Sequence, residues 1–153
     1  MRYQNKSITE AEETFILHGC NTKGGFGNGV AGALSERWPS LKKDFKELHR
    51  IHAPTLGEYT ICRVSDETSK HDIVNLYTQN NYGKDGAKYA SYLAIVDSIR
   101  SFFNNSKILI LSGYKAFAIS RIGCNLGGLK WELVEELLKE LEQEFDVEFV
   151  VYG

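Results

Sequence analysis

The stretch that decides the fold is Phe15-Ile16-Leu17-His18-Gly19-Cys20-Asn21, followed after Thr22 and Lys23 by Gly24-Gly25-Phe26-Gly27-Asn28-Gly29-Val30-Ala31. The first part is a short apolar run that reads as a buried strand ending in polar residues. The second is a glycine-rich loop, and residues of helical spacing follow it. Glycines let a backbone approach phosphate oxygens and present its N–H groups. The helix that opens next favours an anion at its N-terminus. Strand, glycine loop and helix in that order are what a phosphate-bearing ligand requires.

A second segment, Ile122-Gly123-Cys124-Asn125-Leu126-Gly127-Gly128, has the same character and also runs into a helix. Two such loops in 153 residues suggest a pyrophosphate held between them. Neither is a familiar nucleotide motif. The spacing Gly25-Phe26-Gly27-Asn28-Gly29 does not fit G-x-G-x-x-G, and no Gly-Lys-Ser/Thr makes a P-loop. A plain surface turn is the alternative for the first loop, but its position between a buried strand and a helix is where open α/β sheets bind ligands.

The length fits one domain spanning residues 1–153. The formal net charge is −2, and Lys and Arg do not pile onto one segment, so no strong nucleic-acid signal is visible. Three cysteines, Cys20, Cys62 and Cys124, lack metal-ligand spacing; their odd number fits a reducing compartment rather than a disulfide framework. No cofactor or metal is implied. No stretch is apolar for long enough to span a bilayer, and Met1–Lys6 lacks the apolar run of a signal peptide, so an intracellular, cytoplasmic protein is expected.

Strands are predicted at Arg2–Lys6, Thr14–Gly19, Tyr59–Val64, Asp72–Thr78 and Val147–Tyr152. Lys107–Leu111 reads as a β-rich apolar run, and Lys115–Ile119 as a further strand or its extension. Asn28 is a candidate helix N-cap, with Val30, Ala33, Leu34 and Trp38 at helical spacing, and Pro39 separates this helix from a second one over Leu41–His49. A longer helix is predicted over Ala87–Phe103, with Tyr89, Tyr92, Leu93, Val96, Ile99 and Phe103 facing a core. The helix over Leu129–Phe145 carries a stripe of Leu133, Leu137, Leu138 and Leu141. Alternating strands and helices predict an α/β fold with a mixed sheet between helical layers.

Individual residues admit two readings. His18, at the end of its strand, is either a general acid or base near neutral pH or a core histidine held by a hydrogen bond. Asn21 can donate to and accept from a pair of sugar hydroxyls, or simply shape a turn. Cys124 reads better as a small apolar lining residue than as a nucleophile, since nothing nearby would activate it. Tyr82, in Tyr77-Thr78-Gln79-Asn80-Asn81-Tyr82-Gly83, can stack on a base or cover a ribose, or be an ordinary aromatic at a loop edge.

Taken together, Ile16–Asn21, Gly25–Ala31 and Arg121-Ile122-Gly123-Cys124-Asn125-Leu126-Gly127-Gly128-Leu129-Lys130-Trp131 resemble a macro domain, the three-layer α/β/α module that binds ADP-ribose. Leu56-Gly57-Glu58 and Phe149–Tyr152 fit the same pattern, so the resemblance covers nearly the whole chain. Within the superfamily the chain is similar to the branch holding ADP-ribose 1″-phosphate phosphatases and terminal ADP-ribose glycohydrolases.

The resemblance implies that Asn21 contacts the distal ribose. It implies that Gly25, Phe26, Gly27, Asn28, Gly29, Val30 and Ala31, with Ile122, Gly123, Cys124, Asn125, Leu126 and Gly127, cradle the phosphates beside Gly19 and Cys20. Ser7 and Ile8 would meet the adenine, although Ser7 stands where the family usually has an acid. The glycohydrolases also carry a catalytic lysine and aspartate where this chain has Gln79 and Gly127. Without the amine there is no lysyl-sugar adduct. The resemblance therefore implies removal of the phosphate from ADP-ribose 1″-phosphate, with His18 and Asn21 as the catalytic pair. Binding of ADP-ribose with little turnover, or release of ADP-ribose from a modified protein without a lysine, are the alternatives.

Overall fold

The computed structural model describes residues 1–81 and 89–153. Its strands are β1 (Arg2–Gln4), β2 (Phe15–Asn21), β3 (Tyr59–Ser65), β4 (Lys70–Gln79), β5 (Ala116–Ile119) and β6 (Glu148–Tyr152). Its helices are α1 (Gly29–Arg37), α2 (Ser40–Ile51), α3 (Tyr92–Asn105), α4 (Lys107–Leu111) and α5 (Trp131–Phe145). A single 3₁₀ turn, Ile8–Glu10, lies between β1 and β2.

Among the described residues the strands form one sheet in the order β1-β6-β5-β2-β4-β3. Pairing is parallel except between β3 and β4, an antiparallel hairpin closed at Ser65 and Lys70. Alternation along β2 divides its side chains between two layers. Phe15 and Leu17 pack with Ile95, Ile99, Phe102 and Phe103 of α3 and Val134, Leu138 and Leu141 of α5. Ile16 and Cys20 pack with Leu34 of α1 and Leu41 and Phe45 of α2. The result is the expected α/β/α arrangement around a mixed sheet.

Three local expectations are corrected. Lys107–Leu111 is a helical turn, not a strand; Ile108 and Leu111 are 81% and 85% exposed, and of its five residues only Ile110 is buried. A short apolar run does not by itself distinguish helix from strand. In α3 the buried stripe is Ala94, Ile95, Ser98, Ile99, Phe102 and Phe103, while Leu93 faces solvent. In α5 Val134 replaces Leu133 in the core. Each helix has adjacent apolar residues at the decisive position, and spacing alone chose the wrong neighbour. The start expected for α3 at Ala87 lies outside the described residues.

The sheet fixes the site by its connections. From β2 the chain passes to α1 and α2 on one face. From the adjacent β5 it passes to α5 on the other. Where neighbouring parallel strands send their chains to opposite faces, a crevice opens at their carboxyl ends.

Candidate functional site

That crevice holds a cavity of about 500 Å3. Its walls are the ends of β2 (Gly19, Cys20, Asn21), β4 (Thr78, Gln79) and β5 with the residues after it (Ser120, Arg121), together with both glycine loops.

The first loop is tied down by Asn21. Its Oδ1 accepts from the backbone N–H of Lys23 (3.0 Å) and Gly25 (3.1 Å), and its Nδ2 donates to the Gly25 carbonyl (3.0 Å). Both acceptor sites of the amide are taken, and one N–H remains for a ligand oxygen. Asn21 is therefore first a loop-shaping residue. Phe26 roots the loop in the core: it is 3% exposed, lies 4.2 Å from the Phe45 ring and meets His18 edge-on at 5.5 Å. Asn28 occupies the N-cap position of α1, but its side chain caps nothing. Gly29, Val30 and Ala31 all line the cavity, so the uncapped N–H groups of the first turn border it. Gly32, one turn in, has no room for a side chain: a Cβ would lie 2.8 Å from the Gly27 carbonyl oxygen.

The second loop is held by its own packing. Ile122 N–H donates to Ser120 O (2.7 Å), and Leu129 N–H to Gly123 O (2.9 Å). The Gly127 carbonyl accepts from Tyr89 and Ala90 N–H at 2.9 and 3.0 Å. Gly123 has φ +76°, and a Cβ there would meet Leu129 at 2.9 Å. A Cβ at Gly127 would lie 2.6 Å from Gly123 O and 2.9 Å from Ala90 Cβ. This backbone thus leaves no space for the aspartate that the glycohydrolases carry at that place.

The structure brings Gly19, Cys20, Asn21, Gly25–Ala31, Ile122, Gly123, Asn125, Leu126 and Gly127 to the cavity wall, and leaves other expected residues away from it. His18 is fully buried and does not line the cavity. It shares the parity of Ile16 and Cys20 along β2, so it points into the α1/α2 layer. There its Nε2 lies 2.7 Å from Asn75 Oδ1 on β4. Burial pushes its pKa down to about 4, against a smaller opposing effect of the Asn75 bond, so it is neutral at physiological pH. This geometry does not bring His18 to the cavity; it holds it as a buried histidine bonded to Asn75.

Cys124 faces away from the cavity. Its thiol donates to Ile122 O at 3.3 Å, and burial pushes its pKa up to about 11, so it is no nucleophile. Ser7 caps the 3₁₀ turn, accepting from Thr9 N–H at 3.2 Å, and Ile8 is in the core; neither lines the cavity. Tyr82 lies outside the described residues.

Four wall residues were not named as ligand contacts from the sequence: Thr78 and Ser120 went unremarked, Gln79 was noted only at the place of a catalytic lysine, and Arg121 only within the second motif. A shift in the β2–β4 register pairs Cys20 with Tyr77 but Asn21 with Gln79, leaving Thr78 over. Such bulges re-aim side chains at the ends of strands. The Thr78 hydroxyl occupies the place of a Cβ on Gly19, 2.9 Å away, which is why β2 needs glycine there. The available signal was position, since all four sit at or just after strand carboxyl ends.

No family model matches the chain. It is 28% identical over 141 residues to an uncharacterised 17.5 kDa protein of Enterobacteria phage T4, covering 92% of this chain and 87% of that one. It is 25% identical over 157 residues to an ADP-ribose 1″-phosphate phosphatase of Saccharomyces cerevisiae, covering 90% and 88%. Among solved structures, the macrodomain of Mycobacterium tuberculosis DarG superposes with a TM-score of 0.83 at 20% identity, covering 99% of this chain and 96% of that one. Fold and cavity position agree: the chain has the macrodomain fold, and the proteins it is similar to include an ADP-ribose 1″-phosphate phosphatase.

Proposed function

We propose that residues 1–153 act as one macro domain that hydrolyses ADP-ribose 1″-phosphate to ADP-ribose and phosphate. The observation that carries the reading is the cavity wall: two glycine loops and an uncapped helix N-terminus, with no carboxylate among its described residues. Such a wall suits an anionic diphosphate. The relative named as a phosphatase supports the substrate.

The chemistry suits a wall without a general acid. In hydrolysis at the anomeric carbon, the oxygen of water bonds to C1″ and the C1″–O bond to phosphate breaks. The electron pair leaves with the phosphate, and the proton of water passes to solvent or to the departing anion. From the monoanionic ester, whose phosphate already carries one proton, the departing group is HPO4 2−, which is stable at neutral pH, so no side-chain acid is required. Cleavage of the P–O bond would instead expel a sugar alkoxide, which needs an acid that the wall does not offer. Backbone N–H groups and the remaining Asn21 N–H would hold the ligand and stabilise the departing charge.

The test is incubation with ADP-ribose 1″-phosphate in 18O-labelled water. Expected are equimolar ADP-ribose and phosphate, with the phosphate free of label. Labelled phosphate would refute the C1″ route. A folded protein that binds ADP-ribose and releases no phosphate above the uncatalysed rate would establish the second reading, a binding module. That reading is favoured by the lack of a histidine or carboxylate among the described residues of the wall. Release of ADP-ribose from protein through a lysyl adduct is disfavoured, since Gln79 offers no amine.

A further inference from the structure

Arg121 is the single charged side chain among the described residues of the cavity wall. Its guanidinium makes no ion pair and no hydrogen bond among those residues. It lies 5.2 Å from the centre of the Trp131 ring and 5.4 Å from that of Tyr3. The two rings are themselves locked together. They meet edge-on at 6.4 Å, Trp131 Nε1 donates to the Tyr3 hydroxyl at 3.2 Å, and that hydroxyl donates to Glu135. Glu135 also pairs with Lys139. Glu135 is therefore spoken for, and Glu132 acts on the neighbouring Cys124 without bonding to Arg121.

Three elements distant in sequence build this bracket: β1 supplies Tyr3, the end of β5 supplies Arg121, and the first turn of α5 supplies Trp131. Rings hold the face of a guanidinium and leave its N–H edge free. That edge suits two oxygens of one phosphate group. A flexible exposed arginine loses side-chain entropy when it binds; one already laid on two rings loses less.

We propose that Arg121 is the cation that pairs with the diphosphate of the ligand, and that Tyr3 and Trp131 are positioning residues that hold it ready. The inference rests on the ADP-ribose reading and adds to the loop backbone a charged contact specific to phosphate.

The test compares ADP-ribose and adenosine by calorimetry for the wild type, Arg121→Gln, Arg121→Lys, Trp131→Leu and Trp131→Phe, with melting temperatures as a check on folding. Arg121→Gln is expected to weaken ADP-ribose about tenfold at low salt and less at high salt, because an exposed ion pair is screened. Adenosine binding should not change. Arg121→Lys keeps the charge without the fork and should fall between. Trp131→Leu should lose a few-fold with a melting temperature close to that of Trp131→Phe, which retains full affinity. Unchanged ADP-ribose affinity in a folded Arg121→Gln protein would overturn the inference while leaving the ADP-ribose reading intact. An equal loss for adenosine and ADP-ribose would place Arg121 at the base and also overturn it. A wild type that binds no ADP-ribose would remove both.

Discussion

The two glycine loops look alike in sequence and differ in what their glycines are for. In the first, a Cβ at Gly29 would meet nothing within 4 Å, and one at Gly27 would meet only the end of Lys42, at 3.9 Å. In the second, Cβ atoms at Gly123 and Gly127 would strike Leu129, Ile95, Ala90 or the loop backbone at 2.6 to 3.3 Å. The first loop keeps space clear around Gly27 that the protein itself does not use, while Gly29, at φ +57°, also needs glycine for its backbone. The second uses glycine so that it can pack against α3 and itself. An open glycine beside a cavity points to a ligand; a crowded one points to the fold.

The largest effect that would sharpen this contrast is at Gly127. Gly127→Asp should lower the melting temperature strongly, since overpacking costs about 1–3 kcal/mol and a carboxylate against the Gly123 carbonyl adds repulsion. A Gly127→Asp protein as stable as the wild type would break the distinction between the loops.

His18 tests what lies beneath the open loop. His18→Ala leaves Asn75 Oδ1 with only a long contact from the Cys20 thiol and should destabilise by about 1–3 kcal/mol, with turnover per folded molecule retained. The pH dependence has a definite sign. The unfolded histidine takes a proton near its ordinary value of 6.5, and the folded one only near 4. Stability from this group is therefore full above 6.5, is lost as pH falls towards 4, and changes no further below that. The difference between wild type and variant in denaturant melts should shrink over that window. A variant of normal stability whose turnover collapses would return His18 to catalysis.

Gly27→Val should weaken ADP-ribose by about tenfold or more, with the melting temperature nearly unchanged, because the side chain enters open space in front of the loop. A smaller effect is expected at Gly32. Alanine raises helix propensity by about 1 kcal/mol, but its Cβ would force the Gly27 carbonyl to shift at a cost of about 1–3 kcal/mol, so Gly32→Ala should lower affinity a few-fold with a modest loss of stability. Loss of stability with full affinity would show that this contact serves α1 alone.

Much of this was legible in the chain. The run Phe15–Asn21 and both loops announced a parallel-sheet ligand site, and most of the wall was named from them. Other parts depend on sheet order, which spacing does not encode. His18 looked catalytic because it adjoins Asn21, yet its fate is set by Asn75, 57 residues away on β4. Arg121 stood in plain view before the second loop. Its isolation from carboxylates and its aromatic bracket required Tyr3 and Trp131 to be brought together from opposite ends of the chain. Asn21 was read both as a sugar contact and as a turn former; that three of its hydrogen bonds close the loop was a matter of backbone path.

The most direct measurement is a calorimetric titration of the wild-type protein with ADP-ribose, adenosine serving as control. Saturable one-to-one binding of ADP-ribose, much tighter than that of adenosine, is expected if backbone N–H groups of the two loops hold the diphosphate. No binding of ADP-ribose at millimolar concentration, or equal affinity for adenosine, would contradict a phosphate cradle in this crevice.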